Sequence, residues 1–168
     1  LNNLNTSSCE NIAGMFFNCN KVETLNLSSF DTSKVTSFKC MFCLCSSIKS
    51  LDLSSFYTSR VIEIQYIFYK CSSLIFLNLK NFETSNVLVS DDMFYDINEN
   101  LVYCADSNKI SEIESLLSDY KNNCSEICFT NPKSKIIFYK KQCIDNCNKD
   151  KEYKYEYNNL CYKSCPYG

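Results

Sequence analysis

Cysteine is the residue type in this sequence with the greatest capacity for chemistry, and thirteen cysteines are present. Cys40, Cys43 and Cys45 lie within six residues, and a C-x-x-C spacing is common among zinc ligands. The sequence has no second C-x-x-C and no histidine. We therefore favour a local disulfide or free thiols over a structural metal, and we expect no cofactor.

Six further cysteines occupy the end of the sequence as three C-x-x-x-C pairs. An even number at regular spacing in a short polar segment predicts a disulfide framework formed in an oxidising compartment. The spacing does not choose among the possible pairings. The six disulfide candidates are Cys124, Cys128, Cys143, Cys147, Cys161 and Cys165.

The pairs between Cys124 and Cys147 are also similar to the twin motif of small helical chaperones of the mitochondrial intermembrane space. That resemblance implies a helical hairpin, but Pro132 and the β-prone run Ile136–Tyr139 lie where the helices should be. It also leaves the third pair unexplained. A thiol-redox or metal-binding protein is thus the less favoured alternative.

Groups suited to catalysis are scarce. Without histidine, the chain lacks the usual general base for a serine or cysteine nucleophile. Two glycines are too few for a phosphate-binding loop. The neighbouring carboxylates of Asp91-Asp92 and of Glu112 and Glu114 would diverge on a helix or strand, which is typical of solvated surface. We expect no enzymatic activity.

The overall charge argues against two classes of partner. The net charge is −2, and neither half of the sequence is strongly basic. Binding to nucleic acid or to anionic lipid therefore has no electrostatic basis. No apolar run approaches the length that spans a bilayer, so we expect no membrane contact by this chain itself.

An internal repeat of 26 residues positions most of the cysteines. Met15-Phe16 recurs as Met41-Phe42, Ile67-Phe68 and Met93-Phe94. A fixed period of this length, with apolar residues in phase, predicts a solenoid in which each repeat buries the face of the next. The same step relates Cys19, Cys45 and Cys71; Leu25, Leu51 and Leu77; Leu27, Leu53 and Leu79; Phe30, Phe56 and Phe82; Thr32, Thr58 and Thr84; and Val35, Val61 and Val87.

Each repeat combines two local patterns. The alternation in Leu25-Asn26-Leu27 predicts a short strand with its leucines inward, and stacked repeats would align such strands in a parallel sheet. The segment Met15–Val22 has the spacing of one or two helical turns. The Asp/Tyr/Glu-Thr-Ser segments that follow the strands predict turns, because their side-chain oxygens can bond nearby backbone groups. The cysteines of the repeat are expected to be buried thiols.

These residues resemble the BspA-like leucine-rich-repeat family of bacterial and protist surface proteins. The shared pattern is Met-Phe-x-x-Cys-x-x-(Leu/Val/Ile)-x-x-Leu-x-Leu-Ser-x-Phe-x-Thr-Ser-x-Val, present three times in residues 1–104, the third time with Ile67 for Met and Lys80 for Ser. The resemblance implies an extracellular or cell-surface binding protein, often an adhesin, without a catalytic site in the repeats.

Two segments follow the repeats. Ile110, Ile113, Leu116 or Leu117, and Tyr120 fall at helical spacing, which predicts a helix over 107–120 that covers the end of the solenoid. Short β-prone runs and paired cysteines then predict a small disulfide-rich β module, which resembles furin-type and growth-factor-receptor-type segments through Cys161-Tyr162-Lys163-Ser164-Cys165-Pro166. The expected domains are the solenoid at 1–104, a capping helix and linker at 105–123, and a truncated cysteine-rich module at 124–168.

The outward side chains of the strands form the candidate binding face for a protein partner. Phe76 is expected to be an exposed aromatic anchor on this face. We predict adhesion-type binding at the cell surface or outside the cell, with any signal or anchor outside this sequence; an inert structural stalk is the alternative. The predicted face consists of Thr24, Asn26, Ser28, Ser50, Asp52, Ser54, Phe76, Asn78 and Lys80.

Overall fold

A computed structural model describes residues 4–120, 135–137, 142–144, 146–157 and 160–162. In these ranges short strands predominate and one short α-helix occurs. The elements are β1 (Ser50–Asp52), β2 (Phe76–Leu79), β3 (Val102–Ala105), α1 (Glu114–Leu117), β4 (Lys135–Ile137), β5 (Gln142–Ile144), a 3-10 turn (Cys147–Lys149), β6 (Tyr155–Tyr157) and β7 (Leu160–Tyr162).

The first three strands form a parallel sheet in the order β1-β2-β3. Its register follows the 26-residue period, because Leu51 pairs with Leu77 and Leu77 pairs with Tyr103. The expected alignment of equivalent leucines on neighbouring strands is therefore confirmed for Leu51 and Leu77. The first repeat contributes only an isolated bridge between Thr24 and Ser50, so the strand expected at 25–27 is not formed.

The segments between strands are successive turns rather than the expected helical turns. Backbone N–H groups in these segments donate to carbonyls 25 residues further on: Phe16 to Met41 at 2.9 Å, and Phe42 to Ile67 at 3.0 Å. Two positions in each segment have a positive φ, beginning with Gly14 and Asn18. Such residues turn the chain sharply, so the backbone bonds the neighbouring repeat instead of winding into a helix.

Equivalent phenylalanines from successive repeats stack in the core. The ring centroids of Phe16 and Phe42 are 5.6 Å apart, those of Phe42 and Phe68 are 6.0 Å apart, and those of Phe68 and Phe94 are 5.7 Å apart. All four side chains are buried with the inward leucines in one core cluster. Offset stacking of this kind adds to the free energy gained by burial, so each repeat is stabilised by its neighbours.

The repeated threonines join neighbouring repeats rather than closing local turns. The Thr58 hydroxyl donates to the Glu83 carbonyl at 2.9 Å and accepts from the Glu83 N–H at 2.6 Å. Thr32 bonds both backbone groups of Tyr57 in the same way. The expectation of local bonding was wrong for threonine, whereas Asp31 does accept locally from the Ser33 N–H.

The predicted helix over 107–120 is reduced to the single turn α1, with no side-chain cap at its start. The repeat instead continues in phase: Ile113 lies 26 residues after Val87, and Tyr120 lies 26 residues after Phe94. The Tyr120 ring packs 5.9 Å from the Phe94 ring, and its hydroxyl donates to the Phe94 carbonyl at 3.3 Å. Residues 106–120 therefore pack on the last repeat as a partial repeat.

The C-terminal strands form a second sheet in the order β5-β4-β7-β6. Strands occur at 135–137 and 155–157, within the β-prone runs, and β4 excludes a helical hairpin there. Tyr153, which precedes β6, is buried, whereas Tyr155 is half exposed. Cys147 and Cys161 are disulfide-bonded, with a Cα–Cα distance of 5.4 Å. Cys124, Cys128, Cys165 and the side chain of Cys143 lie outside the described residues.

Candidate interaction face and its cleft

Three residues of the predicted face hold the backbone at the ends of the strands. The side-chain oxygens of Asn26, Asp52 and Asn78 each accept the backbone N–H of the residue two positions on, at 3.0–3.1 Å. Asn and Asp commonly close turns in this way. The polar residue between the two leucines of each repeat therefore has a structural role, which the strand alternation alone did not reveal.

Phe76 is buried, with 2% of its surface exposed, so the expectation of an exposed aromatic anchor was wrong. Its register partners on the two neighbouring strands, Ser50 and Val102, are also buried, each at 4% exposure. Strand alternation does place Phe76 on the outward side of the sheet. However, Glu156 of β6 lies on the same side and shares a cleft with Phe76, so this part of the face meets the C-terminal segment.

The part of the face nearer the first repeat lines a cleft of about 500 Å³. Asn26, Ser28, Ser50, Asp52, Ser54 and Phe76 contribute to it from the predicted face. Leu25, Leu27, Ser55 and Glu156 complete the lining. Thr24, Asn78 and Lys80 belong to the predicted face but do not line the cleft. The structure therefore brings together six of the nine predicted residues and adds Glu156, which no repeat pattern could identify.

The cleft is acidic and rich in hydroxyl groups. Among the described lining residues, Asp52 and Glu156 are the only ionisable side chains, and none is a lysine or arginine. The Ser28 hydroxyl donates to the Asn26 side chain at 2.8 Å. By contrast, the hydroxyl of Ser50 is almost fully buried and has no hydrogen-bond partner among the described residues. Buried polar groups normally have a partner.

Cys40 and Cys43 are disulfide-bonded, with a Cα–Cα distance of 4.8 Å. This bond occupies two of the three thiols that could have formed a metal site, and of the two favoured alternatives, a local disulfide or free thiols, it is the disulfide that forms at Cys40 and Cys43. Among the described residues, no group of three or more Cys, Asp or Glu side chains is arranged to hold a metal ion. The carboxylates of Asp91-Asp92 and of Glu112 and Glu114 are exposed.

The repeat cysteines Cys45 and Cys71 are buried thiols that donate hydrogen bonds to carbonyls of the preceding repeat. The Cys45 Sγ lies 3.0 Å from the Phe16 carbonyl, and the Cys71 Sγ lies 3.1 Å from the Phe42 carbonyl. Burial raises the pKa of Cys45 to about 11 and that of Cys71 to about 12. Because the thiolate is the reactive form, both groups are suited to packing and not to redox chemistry. Cys19 is only partly buried.

Cys104, on β3, is also disulfide-bonded, whereas Cys9, Cys19, Cys45 and Cys71 are free thiols. Disulfides of this kind indicate an oxidising, extracellular-type environment. No helix in the described part of the chain is long and apolar enough to cross a membrane.

The fold and the site define a small disulfide-containing protein of short strands, in which residues 26 positions apart pair in parallel register. Residues 1–104 match the family described as "Mycoplasma protein of unknown function, DUF285", and the chain belongs to this family. No curated protein and no solved structure matches the chain.

Proposed function

We propose that this chain is a non-catalytic protein–protein interaction module of the leucine-rich-repeat type. In this proposal the 26-residue repeats form a solenoid, and its outward strand face binds a partner at the cell surface or outside the cell. The disulfides support the oxidising location. The resemblance to BspA-like surface proteins supports binding of an adhesion type.

The observation that carries this proposal is the cleft on the outward side of the first strands. Repeat proteins use the extended surface that their stacked strands create, and here that surface is concave near Asn26 and Asp52. Ser50 offers a buried hydroxyl there without a partner among the described residues. Neighbouring strands lie about 4.8 Å apart, so this stretch supplies one part of a protein contact.

A substitution pair within one repeat tests the proposal. Ser54 lines the cleft. Ser59, in the same repeat, is exposed and does not line the cleft. Labelled wild-type chain is titrated onto extracellular matrix and onto intact cells, alongside Ser54→Arg and Ser59→Arg. We expect saturable binding that Ser54→Arg weakens by about tenfold or more, because a large charged side chain would fill the cleft.

The Ser59→Arg variant is the control and should bind like the wild type. Urea unfolding of both variants checks that neither substitution disrupts the repeats. Equal binding by the two variants would show that the strand face is not the contact surface. Absence of saturable binding to every surface would leave the module without an interaction role.

A structural stalk is the second candidate function, and the burial of Phe76 favours it. The aromatic side chain that could anchor a partner is instead covered within the chain. A stalk predicts that Ser54→Arg and the wild type behave alike in every binding assay.

A further inference from the structure

We propose that the cleft binds a lysine or arginine side chain of the partner protein. This inference rests on the proposed function and assigns a ligand chemistry to the same face. Three features support it: the charge of the described lining residues, the hydroxyl of Ser50, and the apolar surface that Leu25 provides at the cleft.

The charge of the described lining residues favours a cation over an anion. Asp52 and Glu156 both contribute carboxylates, and no basic side chain stands among the described lining residues. Asp52 already accepts the Ser54 N–H at 3.0 Å, and both carboxylates have further contacts. A carboxylate offers about four lone-pair sites, so an ammonium or guanidinium group would share each carboxylate with these contacts.

Ser50 provides an observation independent of charge. Ser50 is 4% exposed and lines the cleft, yet its hydroxyl has no hydrogen-bond partner within the described chain. A buried hydroxyl without a partner is unfavourable. Lysine and arginine carry only donors, so a basic side chain would supply the donor that the oxygen of Ser50 lacks.

Leu25 distinguishes a basic side chain from a small inorganic cation. Lysine and arginine bury apolar stems while their charged ends reach polar groups. The cleft, at about 500 Å³, is lined by the partly buried Leu25 as well as by hydroxyls and carboxylates. An apolar stem can therefore lie on Leu25 while the charged end reaches Asp52 or Glu156.

The test uses the full chain with its disulfides intact and a fluorescein-labelled Gly-Arg-Gly-Arg-Gly amide as the probe. A second peptide replaces both arginines with citrulline, which keeps the shape and removes the charge. Fluorescence anisotropy at low ionic strength should show that the arginine peptide binds at least about fivefold more tightly than the citrulline peptide, because citrulline cannot form the charge pair with the carboxylates of the cleft. Equal binding of the two peptides overturns the inference.

Two variants and one control localise the binding. Asp52→Asn keeps the side-chain oxygen that accepts the Ser54 N–H, and Glu156→Gln changes an exposed residue, so both variants should fold; circular dichroism verifies this. Each variant should weaken binding of the arginine peptide by about threefold to fivefold. The exposed Glu99, which does not line the cleft, provides the control Glu99→Gln, which should change nothing. An equal loss with Glu99→Gln would mean non-specific attraction and would overturn the site.

Maltotriose, a neutral oligosaccharide, tests the competing glycan ligand. If it binds the cleft and the arginine peptide does not, the basic-side-chain inference is wrong. If the two peptides bind equally while Ser54→Arg still reduces binding to cells or matrix, the proposed interaction face is retained and only the inference of a basic ligand is wrong. If both fail, the proposed function falls as well.

Discussion

Replacing Thr58 with valine tests whether the repeats are held together through buried threonine hydroxyls. Valine has nearly the shape of threonine, so packing in the core is retained while the hydroxyl is lost. Thr58 is 2% exposed, and its hydroxyl makes two hydrogen bonds to the backbone of Glu83, at 2.9 Å and 2.6 Å.

The expected loss follows from these two bonds. Each contributes a net stabilisation of about 0.5–1.5 kcal/mol, and a buried backbone group left without a partner costs about 1–3 kcal/mol. Glu83 is only partly buried, so water can replace part of what is lost. We therefore expect Thr58→Val to lower the free energy of unfolding by about 2–3 kcal/mol.

Equilibrium unfolding in urea, with the disulfides intact, measures this loss. Thr58→Ser keeps the hydroxyl and removes one methyl group, so it should cost only about 1 kcal/mol. Ser59→Ala changes an exposed neighbour and should stay within about 0.5 kcal/mol of the wild type. A Thr58→Val variant as stable as Ser59→Ala would refute the role of the threonine in joining repeats.

Three further outcomes follow from the packing. Phe76→Ser should lower the free energy of unfolding by about 3–5 kcal/mol in urea titrations, because it empties a buried aromatic site; a loss below 1 kcal/mol, the range of surface substitutions, would mean that Phe76 is exposed. The pKa values of Cys45 and Cys71 are raised from 9.0 to about 11 and about 12. Their contribution to stability is therefore fully present below pH 9 and is lost as the pH rises towards these values. The urea midpoint of the wild type should fall above pH 9, and the midpoints of Cys45→Ala and Cys71→Ala should fall less steeply. Gly14 has a φ of +65° and an added Cβ would meet only the Phe17 Cβ, at 3.9 Å, so Gly14→Ala should cost about 1 kcal/mol through backbone strain alone; an unchanged thermal midpoint would contradict this.

The alignment of equivalent residues on neighbouring strands could be predicted, because it depends on a regular spacing of similar residues. Leu51 and Leu77 align on neighbouring strands as the 26-residue period requires. The same period could have revealed that Tyr120 continues the phenylalanine stack, but its local spacing also fits a helix. The local spacing therefore led to the prediction of a helix, whereas the structure continues the repeat. The hydroxyl of Thr84 bonds the Lys109 carbonyl and the Glu112 N–H, and these bonds hold the backbone in the conformation of the repeat.

The candidate site could be predicted only in part. Alternation along a strand shows which side chains point outward, and it correctly placed Ser28, Asp52 and Ser54 on one side of the sheet. It could not show that Phe76 would be covered, since nothing near Phe76 in the sequence indicates that Glu156 lies on the same side. Contacts between residues so far apart are invisible to a local pattern.

The sequence by itself determined which side chains point inward, because strand alternation and a fixed 26-residue step are properties of neighbouring residues and of their repetition. Only the tertiary structure decided what lies against the outward side of the sheet. It also decided that the Thr58 hydroxyl bonds the next repeat. Both depend on which distant backbone or side chain comes within hydrogen-bond or packing distance, and that distance is set by the packing of the whole chain.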